Sequence, residues 1–244
     1  MARVENTGNA VILAWDGVVN LFRTPFRWRV YLQQLEFIGV GSLVIVLLTG
    51  AFTGMVTAVQ GVYAFKMFNA EGYVGTAVAL SLTRELAPVL TGLMVTGRVG
   101  SSIATEIGTM GVTEQIDALQ SMAVNPVQYL VSPRIFAGVT MMPVLTLLFS
   151  LVGILGAWLV VVVGLDLDPG IFKRRIIDVL TAWDIGSGLV KSAIFGFVIV
   201  VIACHAGYTA SGGARGVGLA TTRAVVYSSV AVLVCDYFLT VLMF

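Results

Sequence analysis

Five charged side chains interrupt the apolar stretches of this sequence: Arg84, Glu85, Arg98, Lys191 and Asp236. A charge deep in a membrane helix costs about 2.5–3.5 kcal/mol even on permissive insertion scales, so each is a candidate for binding or relay until a partner accounts for it. Arginine carries a planar fork of donors that matches a phosphate, and a carboxylate can hold that fork or answer a neighbouring ammonium. Successive residues of a helix point about 100° apart, so Arg84 and Glu85 need not pair with each other. Lys191 or Arg98 is available to neutralise Asp236. A carboxylate left without a partner would take up a proton or recruit a cation. For all five, structural ion pairing and contact with a substrate are both open readings.

The elements that position these charges follow from composition. Of 244 residues, 58% are apolar and 11% charged, against about 25% charged in an ordinary soluble domain. Fourteen Lys+Arg against thirteen Asp+Glu leave a net charge of +1, which excludes a basic nucleic-acid footprint and an acidic tail. A bilayer core takes about 20 mostly apolar residues per helix. Five such runs occur, at about 37–65, 74–104, 135–165, 186–210 and 224–244. They are continuous blocks without the short alternation of barrel strands, and only a helix satisfies its own backbone in lipid. The expected fold is therefore an all-α integral membrane protein with five transmembrane helices. Arg84 and Glu85 fall about ten residues, or ~15 Å, into the second run, near mid-bilayer. Asp236 falls at a similar depth in the fifth. Pro88 should kink the second helix, and Lys191, at the head of a charge-free run, is placed to snorkel toward a headgroup.

Glycines Gly50, Gly54 and Gly61 share nearly one face of the first run. Small residues let helices approach closely in lipid, and packing within one subunit is preferred here over a dimer seam. Cys204 and Cys235 lie in apolar runs with neither disulfide nor metal-ligand spacing. His205 reads as a packing histidine. Residues 1–36 lack the layout of a cleavable signal peptide. Val11, Trp15, Val18, Val19 and Phe22 recur there at helical spacing between polar residues, which predicts an N-terminal amphipathic helix lying in the membrane interface. The basic, aromatic stretch from Arg23 to Arg29, with Phe26 and Trp28, leads into the first run. Residues 37–244 then form the transmembrane unit. Orientation rests on loop Lys and Arg. With the N-terminus inside, Arg3, Arg23, Arg27, Arg29, Arg134, Arg215 and Arg223 face the cytoplasm, while Lys66, Lys173, Arg174 and Arg175 face out. The expected topology is N-terminus cytoplasmic and C-terminus extracytoplasmic.

Two connections are long enough to fold. In Thr105–Arg134, on the cytoplasmic side, Thr113 is placed to cap a short helix with Glu114 and Asp117 in its first turn. Ile116, Leu119 and Met122 form its apolar stripe, and Asn125-Pro126 should end it. Such a helix rests on the membrane or docks a partner. In Asp166–Asp184, Asp168-Pro169-Gly170 reads as a turn and Ile171–Trp183 as a short helix. There is no G-x-x-x-x-G-K-[ST], so any ATP chemistry belongs to another chain. The glycine-rich segment from Gly212 to Gly218 reads as a flexible cytoplasmic turn between spans.

Several ordered motifs resemble one family. They are Ser81-Leu-Thr-Arg84-Glu85-Leu-Ala-Pro88, Gly97-Arg98-Val-Gly100-Ser101, Ala104-Thr-Glu106-Ile-Gly108 and Val112-Thr113-Glu114-Gln115-Ile-Asp117-Ala-Leu. Agreement continues through Ala123-Val-Asn-Pro126, Ser132-Pro133-Arg134, Val190-Lys191-Ser192, Ala220-Thr221-Thr222-Arg223 and Cys235-Asp236-Tyr-Phe-Leu-Thr240. Over roughly residues 30–244 the chain is similar to the MlaE/YrbE permeases, the membrane subunits of MCE-associated ABC transporters. The resemblance implies a homodimer in the bacterial inner membrane, two cytoplasmic ABC ATPase subunits, a ring of MCE-domain proteins outside and phospholipid or a related lipid as substrate. It also implies that the Thr113–Met122 helix couples to the ATPase, with Glu106, Glu114, Gln115 and Asp117 as the coupling residues, and that Arg84 and Glu85 stand near the lipid pocket.

Three function classes remain to be separated. A lipid-transporting ABC permease, which is not itself an enzyme and needs no cofactor, explains the missing P-loop, the short amphipathic helix and the charges within the spans together. A secondary transporter or channel without ATPase partners explains the charges alone. A membrane scaffold predicts that Arg84 and Glu85 matter only for stability.

Overall fold

The computed structural model describes residues 2–21, 27–165 and 167–243. Phe22, Arg23, Phe26 and Asp166 lie outside them. Among the described residues every regular element is helical: α1 (Ala2–Leu21), α2 (Trp28–Lys66), α3 (Glu71–Val112), α4 (Gln115–Ser121), α5 (Val127–Gly164), α6 (Pro169–Val179), α7 (Ala182–Tyr208) and α8 (Gly213–Met243). Five of these, α2, α3, α5, α7 and α8, are long and apolar enough to cross a membrane. The chain is a multi-pass membrane protein. Large apolar side chains such as Phe52, Leu155, Leu233, Tyr237 and Phe238 point outward along them, as expected where lipid or another membrane chain is the neighbour.

The helices overrun the apolar runs because hydropathy fades before hydrogen bonding does. α3 continues from residue 104 to Val112, and α8 starts at Gly213 rather than near residue 224. The glycine-rich segment is thus mostly helix. Only Gly212 and Gly213 take positive φ, at 90° and 69°, which turns the chain from α7 into α8.

α2 and α5 meet backbone to backbone. A Cβ built at Gly50 would stand 2.9 Å from the Phe149 carbonyl oxygen, and one at Gly54 would overlap the Gly153 carbonyl. These glycines serve packing within the subunit. A similar close approach joins α5 to α7 at Gly138 and Gly196. α7 is enclosed by α3, α5 and α8, with Phe149, Phe195, Ile199 and Met142 wholly buried between them. α3 is not a uniform α-helix. Wide π turns occupy Leu82–Leu86 and Thr96–Gly100, and Pro88, which has no N–H to give, follows the first.

α1 lies across the start of α5, where Ser132 Oγ donates to the Gly17 carbonyl at 2.8 Å. Its Val11, Ile12 and Trp15 side chains face outward. The short connections differ from the sequence reading in their caps. Thr113 donates back to Thr109 O and finishes α3, while α4 begins from Glu114 in a left-handed conformation, φ 59°. Asn125 does not end α4, which stops at Ser121. Its Oδ1 accepts from Val127 N at 2.9 Å and so starts α5. Asp168 is a helix cap, accepting from Gly170 N and Ile171 N, and Trp183 belongs to α7. α6 folds onto the first turns of α3, with Phe172 against Gly75 and Thr76 Oγ1 donating to Arg175 O at 3.0 Å.

Candidate functional site: a charge network among three spans

The first π turn of α3 presents Arg84 and Glu85 to different partners. Lys191 of α7 has no exposed surface. Its Nζ lies 2.8 Å from Glu85 Oε2 and 3.3 Å from Asp236 Oδ1 of α8, and it donates to Thr240 Oγ1 at 2.7 Å and to the Arg84 carbonyl at 3.2 Å. Arg84 Nε donates to Asp184 Oδ1 at 2.7 Å, and Arg84 Nη2 reaches the same oxygen at 2.5 Å. The other oxygen of Asp184 accepts from Thr181 N and Thr181 Oγ1, each at 2.7 Å. Thr181 and Asp184 form a capping box that opens α7. Gly188 makes the junction possible, since a Cβ there would overlap the Thr83 carbonyl.

Three carboxylates therefore meet one ammonium and one guanidinium. The counter-ions are buried while the dipeptide is not: Arg84 and Glu85 keep 37% and 38% of their side chains exposed, against 1% for Asp184 and 0% for Lys191. Buried charges held on good partners fix a geometry, and the exposed edges of Arg84 and Glu85 then face the outside of the bundle in a set orientation. Arginine held this way is suited to a phosphate, and the carboxylates keep the local field from becoming strongly positive.

The sequence expectations change in two places. Lys191 does not snorkel; it is the buried hub. Arg98 does not neutralise Asp236. It sits in the second π turn, donates to Phe37 O at 3.0 Å and Ser42 Oγ at 2.9 Å, and lies 5.3 Å from the Phe37 ring centre, fastening α3 to the break in α2, a tighter 3-10 turn at Val40–Ser42. The network lies deep within the spans. Lys191 is about nine residues below the start of α7 and Asp236 about seven from the end of α8, or ~14 Å and ~10 Å at helical rise. Asp184 was missed because the apolar run was taken to begin after it. The Thr181-x-x-Asp184 spacing before that run is a helix-start signal that could have found it.

The proposed coupling residues do not form one group. Glu106 is on α3, 2.8 Å from Arg134 Nη2, and the buried Arg134 also donates to Leu130 O at 2.8 Å. Glu114, Gln115 and Asp117 are exposed on α4, with Ile116 of the same helix buried beneath them.

Comparison with known proteins agrees with this architecture. The family model described as Permease MlaE matches residues 31–242. A probable ABC transporter permease protein of Rickettsia conorii is 45% identical over 240 residues, covering 98% of this chain and 93% of the relative. The intermembrane phospholipid transport system permease protein MlaE of Haemophilus influenzae is 42% identical over 238 residues, 97% of this chain and 91% of its own. The chloroplastic protein trigalactosyldiacylglycerol 1 of Arabidopsis thaliana is 40% identical over 233 residues, 94% of this chain and 65% of its own. With five apolar spans, no P-loop and a match across nearly its whole length, the chain belongs to the MlaE permease family of ABC transporter membrane subunits.

Proposed function

We propose that two copies of this chain form the membrane pore of an ABC transporter that moves phospholipid, or a related lipid, between the inner membrane and the outer envelope. Energy comes from two separate cytoplasmic ATPases docked at α4, and an MCE-domain ring receives or delivers lipid outside. The observation that carries the reading is the half-exposed Arg84–Glu85 pair standing on buried counter-ions. Arg84 holds a headgroup phosphate, and Asp184, rather than Glu85, tempers its grip. The outward apolar face of α8, with Val234, Tyr237, Phe238 and Val241, meets its counterpart across the dimer axis and lines the acyl-chain chamber. The N-terminus is cytoplasmic, the C-terminus extracytoplasmic, and residues 1–36 lie in the membrane interface ahead of the transmembrane unit. The phospholipid transport named for the Haemophilus relative supports this substrate class. A channel or secondary transporter would have no use for the exposed acidic turn of α4.

The test is Glu85→Gln beside Glu85→Ala in the complex co-expressed with its ATPases. Yield, melting temperature, co-purifying lipid and lipid-stimulated ATP hydrolysis are measured. Loss of bound lipid and of stimulation at unchanged yield and melting temperature supports the pocket. A fall in stability that accounts for the lost activity refutes it.

A further inference from the structure

A second polar feature lies at the opposite end of the bundle, unconnected to the charge network. A cavity of about 950 Å³ opens between α1, α7 and α8, bordered by Ala10, His205, Thr209, Ser211, Arg223 and Tyr227 among others. His205 thus faces a cavity rather than packing between helices. About 20 residues of helix cross the hydrocarbon; counted inward from Ala182 on α7 and from Met243 on α8, that length ends near Ile202 and Arg223. The cavity therefore straddles the level at which hydrocarbon gives way to headgroups, on the α4 side. Tyr227, one turn deeper on α8 and exposed, stands where interfacial aromatics gather.

Among the described residues of the lining, Arg223 is the single full charge and no carboxylate occurs, and no ion pair of Arg223 occurs among the described residues. Thr209 Oγ1 already donates to the His205 carbonyl at 2.9 Å, so the donors left for a guest are the guanidinium, the imidazole and the Ser211 and Tyr227 hydroxyls. Beyond the mouth, Val226 and Val230 continue along α8 as exposed apolar surface. One cationic and several neutral donors at headgroup level, with an apolar track toward the bilayer centre, match an amphiphile with an anionic head.

We propose that this cavity is a headgroup site for an anionic phospholipid of the leaflet on the α4 side, separate from the deeper Arg84–Glu85 network. The phosphodiester is held by Arg223, with His205 and Ser211 as further donors, and the acyl chains run along the Val226–Val230 stripe of α8 toward the chamber that the two copies enclose. α1 closes the site from the membrane surface through Ala10. A lipid bound here sits beside the same helix that carries Asp236 and Thr240 near its far end.

The test uses the chain with its bound subunits in phosphatidylcholine nanodiscs, probed with spin-labelled phosphatidylglycerol and spin-labelled phosphatidylcholine in the absence of ATP, so that its outcome does not depend on transport. The wild type should immobilise phosphatidylglycerol in preference to phosphatidylcholine. Arg223→Gln should lower that preference about three- to tenfold, the scale of one ordinary hydrogen bond, and Arg223→Lys should retain most of it. Ala210→Trp, which fills the cavity from the turn after α7, should lower it with Arg223 in place and keeps the question answerable if Arg223→Gln does not fold. Inorganic phosphate at matched concentration should not displace the lipid. An undiminished preference in both Arg223→Gln and Ala210→Trp overturns the proposal. Displacement by inorganic phosphate, which would mark a free-anion site, or protein density from a second chain in the cavity overturns it equally.

Discussion

The Lys191 ammonium stands 2.8 Å from Glu85 Oε2, with no exposed surface of its own while Glu85 keeps 38% of its side chain exposed. The buried ammonium is thus out of a substrate's reach, and the carboxylate is the partner that a substrate can touch. Removing the cation alone would strand Glu85 and Asp236. We expect Lys191→Met to destabilise by about 3–5 kcal/mol, and the triple change Lys191→Met, Glu85→Gln, Asp236→Asn to recover more than half of that. Thermal unfolding in detergent checks it; equal losses in the single and triple variants would show that the charges are not coupled.

Arg84 and Asp184 should behave as a pair. In a cycle of Arg84→Met, Asp184→Asn and the double variant, we expect a coupling energy of about 0.5–3 kcal/mol, toward the low end because the arginine is more than a third exposed. Additive losses would dissolve the pair. Asp184→Ala should cost more than Asp184→Asn, since it also removes the acceptor for Thr181 at the head of α7.

Gly54 and Gly97 give a packing contrast. Gly54→Val would drive a side chain into the Gly153 carbonyl, whereas nothing stands within 4 Å of a Cβ at Gly97. We expect Gly54→Val to lower folded yield and melting temperature sharply, and Gly97→Ala to change both little. The comparison fails if the two variants behave alike.

The exposed acids of α4 bear on the ATPase. Charge reversal at both Glu114 and Asp117 should reduce ATPase recovered in a pull-down several-fold while the permease remains inserted. Unchanged recovery removes α4 from the interface.

Sidedness has a direct readout. With both native cysteines replaced by alanine, Lys173→Cys should react from outside with a membrane-impermeant thiol reagent and Gln115→Cys should not. The reverse pattern would invert the proposed orientation.

The five spans were legible because uninterrupted apolar length is a one-dimensional property. Their ends were not. Helical hydrogen bonding carries α3 to Val112 and α8 back to Gly213 through residues too polar for a hydropathy window. The charged pair was legible as costly residues in apolar runs, yet its partners depended on which spans meet. Lys191 joins Glu85 across 106 positions and Asp236 across 45, and no local pattern encodes that distance. Asp184 was within reach of a local rule, through the capping box with Thr181. Arg98 was misassigned because its partners are a carbonyl and a hydroxyl at the break in α2, groups that carry no charge to look for.

The two wide turns of α3 have a mechanical consequence. Each holds a surplus residue relative to ordinary helical winding, and each holds an arginine, Arg84 in one and Arg98 in the other. A surplus of this kind behaves like a dislocation in a crystal: it can be handed along the rod by exchanging one hydrogen bond at a time, without melting the rod. As it passes, the residues it crosses swing around the axis by about a quarter turn. The stretch Ala87–Val95 lies between the two, clamped at one end by Asp184 and Lys191 and at the other by Phe37 and Ser42. A push on the end that adjoins α4 can therefore reach Arg84 as a twist of this segment, with both ends of the span staying where they are.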